Sequence, residues 1–350
     1  MKKNRKLLLV LIVVAAAVFM IFNAKNPKGN IASKPLANFT IDDTASIDRI
    51  FIIDADQVSV TLERDPNSRY WDLNQQYKAR KDAVDLLLRT FKRIKVKAPV
   101  PESARENVIR LLAGAGKKVE IYQGGNTPVK TYIVGNATQD HTGTYMLLET
   151  AEEGRSSEPF IVHMEGFTGF LSTRFFTDEN EWRYTGVFDY PTLNVQRLEM
   201  VNHHLPFHSF SIDYKGGNDL KLNDFRGESI AAFDTLRLKD YLLLYKKAHV
   251  ETYQSHMTPA QEDSLKQSPP AYTLRVIDNA GEAKELQLYF KKPVLEAYDE
   301  QGNIEPWDLA RMYFVYQGEV GLAQLFVFDP LIKVRLSDFA PSQVQALRAN

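Results

Sequence analysis

The sequence predicts an α+β protein made of two tandem, similar strand-rich modules, each with one longer and one short helix, behind an N-terminal transmembrane helix. Three observations lead there. An uninterrupted apolar run from Leu7 to Phe22 follows the basic residues Lys2, Lys3, Arg5 and Lys6. Short alternating apolar runs, bounded by Asp, Asn and Gly turns, fill most of the remaining chain, with stretches of helical spacing between them. Several of these elements return in the same order about 150 residues later, the signature to seek first in a chain of this length.

The apolar run is about 16 residues, roughly 24 Å as a helix, at the short end of what crosses a bilayer core and also a normal length for a signal-peptide core. Bulky Phe22 stands where cleavage needs small residues, and without Cys no lipid-modified cysteine can form. Residues 1–24 therefore read as a retained signal anchor, with a cleaved signal peptide and a buried core helix as the alternatives. Basic residues before the run keep the N-terminus cytoplasmic. The body is then expected on the extracytoplasmic (periplasmic) side of a bacterial inner membrane, single-pass. Residues 25–45, rich in Asn, Lys, Pro, Gly and Ser, read as a tether.

Composition fits a folded, exported body. With 44% hydrophobic and 25% charged residues, the 350-residue chain can fill two cores. A net charge of -1 argues against nucleic acid, whose phosphates need clustered Lys and Arg. Zero Cys removes thiol catalysis, disulfide exchange and Cys-based zinc sites.

The first module is placed at residues 46–178. Ile47, Ile50 and Ile52, then Val58, Val60 and Leu62, predict two strands around an Asp54-Ala55-Asp56 turn, and Tyr70 to Leu73 a third. Val84, Leu87, Leu88, Phe91 and Ile94 fall at helical spacing, so residues 81–94 predict a helix with one face on the sheet. Ser103 to Glu106 reads as a capping box opening a short helix that Gly114 ends. A hairpin is expected where residues 118–122 and 130–134 flank Gly124-Gly125-Asn126. Residues 145–149, 159–164 and 169–176 then read as strands.

The second module, residues 193–340, repeats the pattern. Val195 to Leu198 echoes Ile47 to Ile50, Ser209 to Asp213 echoes Ser59 to Glu63, and Leu220 to Asn223 echoes Trp71 to Asn74. A helix is expected from Ser229, and Thr258-Pro259-Ala260-Gln261 forms a second capping box. Residues 272–277 and 285–290 predict a hairpin around Asn279-Ala280-Gly281, and Val334 to Phe339 stands where Phe170 to Phe175 stood. The alternative is two unrelated strand-rich domains.

Tyr70-Trp71-Asp72-Leu73, Lys78 to Val84 opening a Leu-rich helix, Ile133-Val134-Gly135 and Thr144-Tyr145-Met146 together resemble a domain-of-unknown-function family of membrane-anchored bacterial envelope proteins. The resemblance covers most of residues 46–176. Such proteins are often encoded beside ABC-type transporter parts and gliding-motility-like auxiliary proteins, which implies an accessory role and brings no catalytic residues.

Candidate sites are few. His203, His204 and His208 could gather around a metal, but Pro206 breaks the helix that would align them, and a polar turn is the plainer reading. Asp140-His141 with Glu165 could do acid–base work, against a simple Gly/Thr-rich turn. Gly114 to Lys117 lacks the upstream Gly and the Ser or Thr of a phosphate loop. Aromatic groups at Tyr241, Tyr245 and Tyr253, and at Trp182, Tyr184, Phe188 and Tyr190, could line a groove or simply pack a core. The latter group and Trp307, at the end of the Glu296 to Trp307 stretch that only the second module has, are the candidate ligand or partner surface. No cofactor or metal is expected. The reading is a non-enzymatic accessory or scaffolding protein of the envelope, with transporter subunits as the implied partners. An extracytoplasmic carbohydrate- or peptide-binding module is the alternative, and an uncharacterised envelope hydrolase a further one.

Overall fold

Local chemistry sets the strands before packing does. In the first, β1 (Arg49–Ile53), Ile50 and Ile52 are buried while their neighbours are only partly covered, the period-two pattern of a strand with one face on a core. A computed structural model of the chain describes residues 35–299 and 301–340. They fall into two compact units that divide between Tyr184 and Thr185.

In unit 1, the strands after β1 are β2 (Ser59–Arg64), β3 (Trp71–Leu73), β4 (Tyr77–Lys78), β5 (Ile94–Pro99), β6 (Lys117–Tyr122), β7 (Lys130–Ala137), β8 (Thr144–Thr150), β9 (Gly154–Arg155) and β10 (Phe160–Met164). They form one sheet in the order β4-β3-β2-β1-β6-β7-β8-β10-β5, with β9 beside β8. Helix α1 (Lys81–Arg93) covers one face through Ala83, Val84, Leu87 and Phe91, whose ring meets those of Tyr132 and Phe175. Helix α2 (Glu102–Ala115) lies on the opposite face, where Val108 and Leu112 pack on Ile133 and Leu147. Gly135 allows that approach, since a Cβ there would stand 2.5 Å from Leu112 Cδ2. A short helix, α3 (Glu179–Trp182), ends the unit.

Unit 2 contains β11 (Gly186–Phe188), β12 (Val195–Asn202), β13 (Phe210–Gly216), β14 (Asp219–Asn223), α4 (Thr235–Leu243), β15 (Ala248–His249), α5 (Pro259–Gln267), β16 (Tyr272–Asp278), β17 (Ala283–Phe290), β18 (Arg311–Tyr316), β19 (Glu319–Gln324), α6 (Leu325–Ile332) and α7 (Leu336–Phe339). Its sheet runs β14-β13-β12-β16-β17-β18-β19, and β11 pairs with β15 separately. The core gathers Phe210, Tyr241, Tyr245, Phe314, Phe328 and Phe339 around the sheet. Each end strand is partly covered: Asn223 bridges to Ser229 on one side and Leu322 to Thr252 on the other, which occupies edge groups that would otherwise template aggregation.

The expected architecture is corrected in three respects. Among the described residues no helix is long and apolar enough to cross a membrane, and the Leu7 to Phe22 run with its residue 1–24 anchor lies outside them. The expected pair of one longer and one short helix per module is absent: unit 1 carries helices of 13 and 14 residues, and none in unit 2 exceeds nine. Strand dominates at 36% against 24% helix, and the sheets differ in size. What the units have in common is strand order, since β3-β2-β1-β6-β7-β8-β10 and β14-β13-β12-β16-β17-β18-β19 correspond position by position.

Smaller differences have physical causes. Residues 35–45 were expected in the tether, yet Phe39 and Ile41 are buried in the core of unit 1, and the Tyr132 hydroxyl donates to the Phe39 carbonyl; residues 25–34 lie outside the described set. The Thr258 capping box forms, with Gln261 N–H donating to Thr258 Oγ1 and Thr258 N–H to Gln261 Oε1. The Ser103 box does not. Pro101, with a φ of -53°, occupies the N-cap position and the helix begins at Glu102, two residues before a Ser103 cap would start it. Residues 169–176 are no strand: they turn through a 3₁₀ segment, Ser172–Arg174, which drops Leu171 and Phe175 into the core.

Candidate functional site

The aromatic candidates part company in the structure. Trp182 is fully buried in unit 1, its indole N–H donating to Phe176 O at 3.1 Å. Tyr184 is partly covered, its ring 4.6 Å from that of Tyr70. Phe188 is buried in unit 2 against Tyr245, with centroids 5.1 Å apart. Tyr190 is buried there as well, and burial, with the nearby Asp278 and Tyr316, pushes its hydroxyl up to about 12. Trp182, Phe188 and Tyr190 thus serve as core residues. Trp307, 39% exposed, stands at the surface.

Trp307 belongs to the connection between the adjacent antiparallel strands β17 and β18, which runs from Lys291 to Ala310. Neighbouring strands need only a few residues to join, so a connection this long calls for a reason outside the sheet. Its base is fixed. Lys291 Nζ stands 2.8 Å from Asp308 Oδ2, Asp308 N–H donates to Lys291 O at 2.7 Å, and the N–H groups of Ala310 and Arg311 donate to Asp308 Oδ1. Arg311 in turn grips Glu251 through two hydrogen bonds of 2.6 and 2.7 Å. The described residues of the tip are hydrogen-bonded as well. Asp299 Oδ1 accepts from Gln301 and Asn303 N–H groups, Tyr298 bridges to Ile304, and Glu305 N–H donates to Ala297 O. Asn303, followed by those backbone donors, holds the Asp299 carboxyl below its ordinary value.

Between base and tip the side chains face water. Val294 is 88% exposed and Leu295 82%, and Tyr298, Ile304 and Leu309 are exposed as well. Trp307 stacks on Phe290 with centroids 4.9 Å apart and an interplanar angle of 17°. Phe290 extends the array to His204 at 5.3 Å and Tyr272 at 6.2 Å. The surface therefore has an aromatic floor and an exposed apolar arm with hydrogen bonds at its base and around Asp299. Glu296, Asp299 and Glu305 put carboxylates along the arm, against the single exposed cation Lys292.

The histidines do not converge. His203 Nε2 lies 2.9 Å from Thr273 Oγ1, while His204 rests on Phe290 and His208 on Phe207. Asp140 is taken up by Thr138 and Thr142, His141 sits at positive φ beside Phe170, and Glu165 pairs with Lys95 at 2.7 Å. Among the described residues no three His, Asp or Glu groups stand close enough to hold a metal ion. Sequence reasoning singled out Glu296 to Trp307 but missed Phe290 and His204 as parts of the same surface; Phe290 looked like an ordinary strand terminus, and only pairing with β18 aims it at Trp307.

No protein-family model matches the chain, and no curated protein or solved structure is significantly similar to it.

Proposed function

We propose that the chain is a non-enzymatic accessory or scaffolding protein of the bacterial envelope, held outside the cytoplasmic membrane by its N-terminal segment, and that unit 2 docks a protein partner through the Lys291 to Ala310 connection. The observation that carries this reading is the exposure of Val294 and Leu295 on an arm whose base and tip are both fixed. Apolar side chains left in water gain nothing from the fold, whereas covering each with a partner is worth about 1.5–3 kcal/mol. Trp and Tyr beside them are the residue types that anchor protein interfaces. The carboxylates along the arm favour a partner whose apolar contact is flanked by Lys or Arg. ABC-type transporter subunits are the partner class implied by the resemblance of the first module.

The test is a photo-crosslinking residue at position 295 of the full-length chain, expressed in a bacterial host of origin. A covalent adduct with an envelope protein is expected, and reversing Glu296 and Glu305 to Lys should abolish it. Adducts absent at positions 294, 295 and 298 alike would overturn the reading. A phosphatase fused after Asn350 tests the location separately, being active only if the body is exported.

One observation favours carbohydrate binding instead: the Phe290–Trp307 stack leaves an aromatic face at the surface. Trp71 and Trp182 are buried, so quenching of the exposed tryptophan by oligosaccharides would report on Trp307.

A further inference from the structure

The register of the unit 1 sheet sets two carboxylates directly opposite each other. Ile50, Leu62, Leu73 and Ile121 take the core face of β1, β2, β3 and β6. On the other face, β4, β3, β2, β1 and β6 align Lys78, Asp72, Glu63, Arg49 and Tyr122 as successive cross-strand partners. Glu63 and Asp72 are therefore neighbours, and like charges so placed destabilise a sheet unless a cation stands beside them. Both flanking cations turn elsewhere. The Arg49 guanidinium lies 4.0 Å from the centre of the Tyr122 ring, with Nη2 3.5 Å from Gly125 O, and the Lys78 ammonium lies 5.6 Å from the centre of the Tyr70 ring. Among the described residues the Glu63 carboxylate accepts from Gln75 Nε2 alone, at 3.1 Å, and no side chain pairs with Asp72.

The two carboxylates line one cavity of about 550 Å³, together with Asp48, Arg49, Arg64, Asp65 and the Gly124-Gly125-Asn126 turn. That volume suits a small ligand, and so polar a lining excludes an apolar one. Four carboxylates face two guanidiniums there, and the second guanidinium is engaged like the first. Arg64 stands 4.6 Å from the centre of the Trp71 ring and donates through Nε to Ile47 O at 2.8 Å and through Nη2 to Thr44 O at 3.3 Å. Asp65 serves its own turn, accepting from Asn67 N–H at 2.8 Å. The Asp48 carboxylate is only half used. Its Oδ2 accepts from Gly124 N–H at 3.0 Å, while Oδ1 is buried and has no hydrogen-bond partner among the described residues. A carboxylate oxygen withdrawn from water without a donor is costly, which sets Asp48 beside the Glu63–Asp72 pair as an acceptor that unit 1 does not itself satisfy.

We propose that this cavity binds a small organic molecule bearing a primary ammonium group, which the Glu63 and Asp72 carboxylates hold while Asp48 accepts a further N–H or O–H. An ammonium brings three donors and the charge that offsets the repulsion between Glu63 and Asp72. A metal ion is the poorer fit, since among the described residues no three His, Asp or Glu groups stand close enough to hold one. Amino sugars and aliphatic polyamines both carry the required group. The site lies wholly within unit 1 and is independent of the docking arm.

The experiment is calorimetric titration of the full-length chain with glucosamine, glucose and spermidine at neutral pH and matched ionic strength. Saturable binding of glucosamine, with none of glucose, identifies an amino sugar; saturable binding of spermidine alone identifies an aliphatic polyamine; and binding of both amines supports the shared ammonium group. Asp72→Asn should weaken the binding about tenfold, the value of one charge-assisted contact. The same variant removes the like-charge pair, so its unfolding temperature without ligand should be no lower than that of the wild type. A purely structural Asp72 would not lose affinity while keeping stability. Glu165→Gln, which removes an exposed carboxylate that pairs with Lys95 elsewhere in unit 1, should leave the affinity unchanged. Absence of saturable binding by either amine, equal binding of glucose and glucosamine, an unchanged affinity in Asp72→Asn, or an equal loss in Glu165→Gln would overturn the proposal.

Discussion

Lys291 and Asp308 close the base of the β17–β18 connection with an Nζ–Oδ2 distance of 2.8 Å, and their side chains are only 10% and 16% exposed. Burial acts to raise the Asp308 carboxyl, but the Lys291 ammonium and the amides of Ala310 and Arg311 outweigh it and hold the group below its ordinary value. A carboxyl depressed in the folded state stabilises the fold above its unfolded value, near 4, and that contribution is lost as pH falls through the folded value. Asp308→Asn leaves a withdrawn cation without its counter-charge and should cost about 3 kcal/mol at neutral pH. Urea unfolding checks both points: the gap between wild type and variant should close between about pH 5 and pH 2, and a gap independent of pH would contradict the assignment.

Tyr241 and Tyr245 form a buried hydroxyl pair 2.9 Å apart, and Tyr241 also donates to Leu331 O at 2.8 Å. Burial pushes both above the ordinary tyrosine value. Groups raised in this way stabilise the fold fully below about pH 10, and the contribution is lost as pH rises toward their folded values. In alkaline titration their tyrosinate absorbance should appear only with unfolding. Tyr241→Phe, which leaves the Leu331 carbonyl without this donor, should cost about 1–2 kcal/mol.

Phe39 distinguishes a tether from a core segment. Its buried ring meets Tyr132 at 5.4 Å and Phe160 at 6.1 Å. Phe39→Ala should destabilise unit 1 by about 3–5 kcal/mol, as emptying a well-packed aromatic site does. Denaturant unfolding of the variant with an unchanged midpoint would return residues 35–45 to the tether.

Val294 and Leu295 should be separable from stability. Replacing both by Ser removes side chains that touch mostly water, so unfolding should change by less than about 0.5 kcal/mol. The crosslinked adduct at position 298 should disappear at the same time. A protein that unfolds more easily by several times that amount would show that the arm packs rather than docks.

Part of this fold was legible in the chain. The strands at Ile50 and Leu62, helix α1 and both Gly-turned hairpins follow from local periodicity and turn chemistry, and Gly281 takes the positive φ of 85° its turn requires. Strand β5 was not legible. Its Ile-Lys-Val-Lys alternation follows helix α1 without a turn signal, and its partner β10 lies far along the chain. Residues 169–176 misled because Leu171 and Phe175 have the apolar character of a strand while β10 already pairs with β8 and β5.

For the candidate surface the division is sharper. The sequence by itself determined which stretches are apolar and where the chain turns, because those properties reside in neighbouring residues. Only the tertiary structure decided that Trp182, Phe188 and Tyr190 turn inward while Trp307 remains outside on Phe290, and that Arg174 is buried beside Thr90 and Phe167 with no carboxylate paired to it. An aromatic ring or a guanidinium suits either a core or a surface; which it occupies depends on whether distant segments arrive to cover it, and that is settled by strand pairing across the whole sheet.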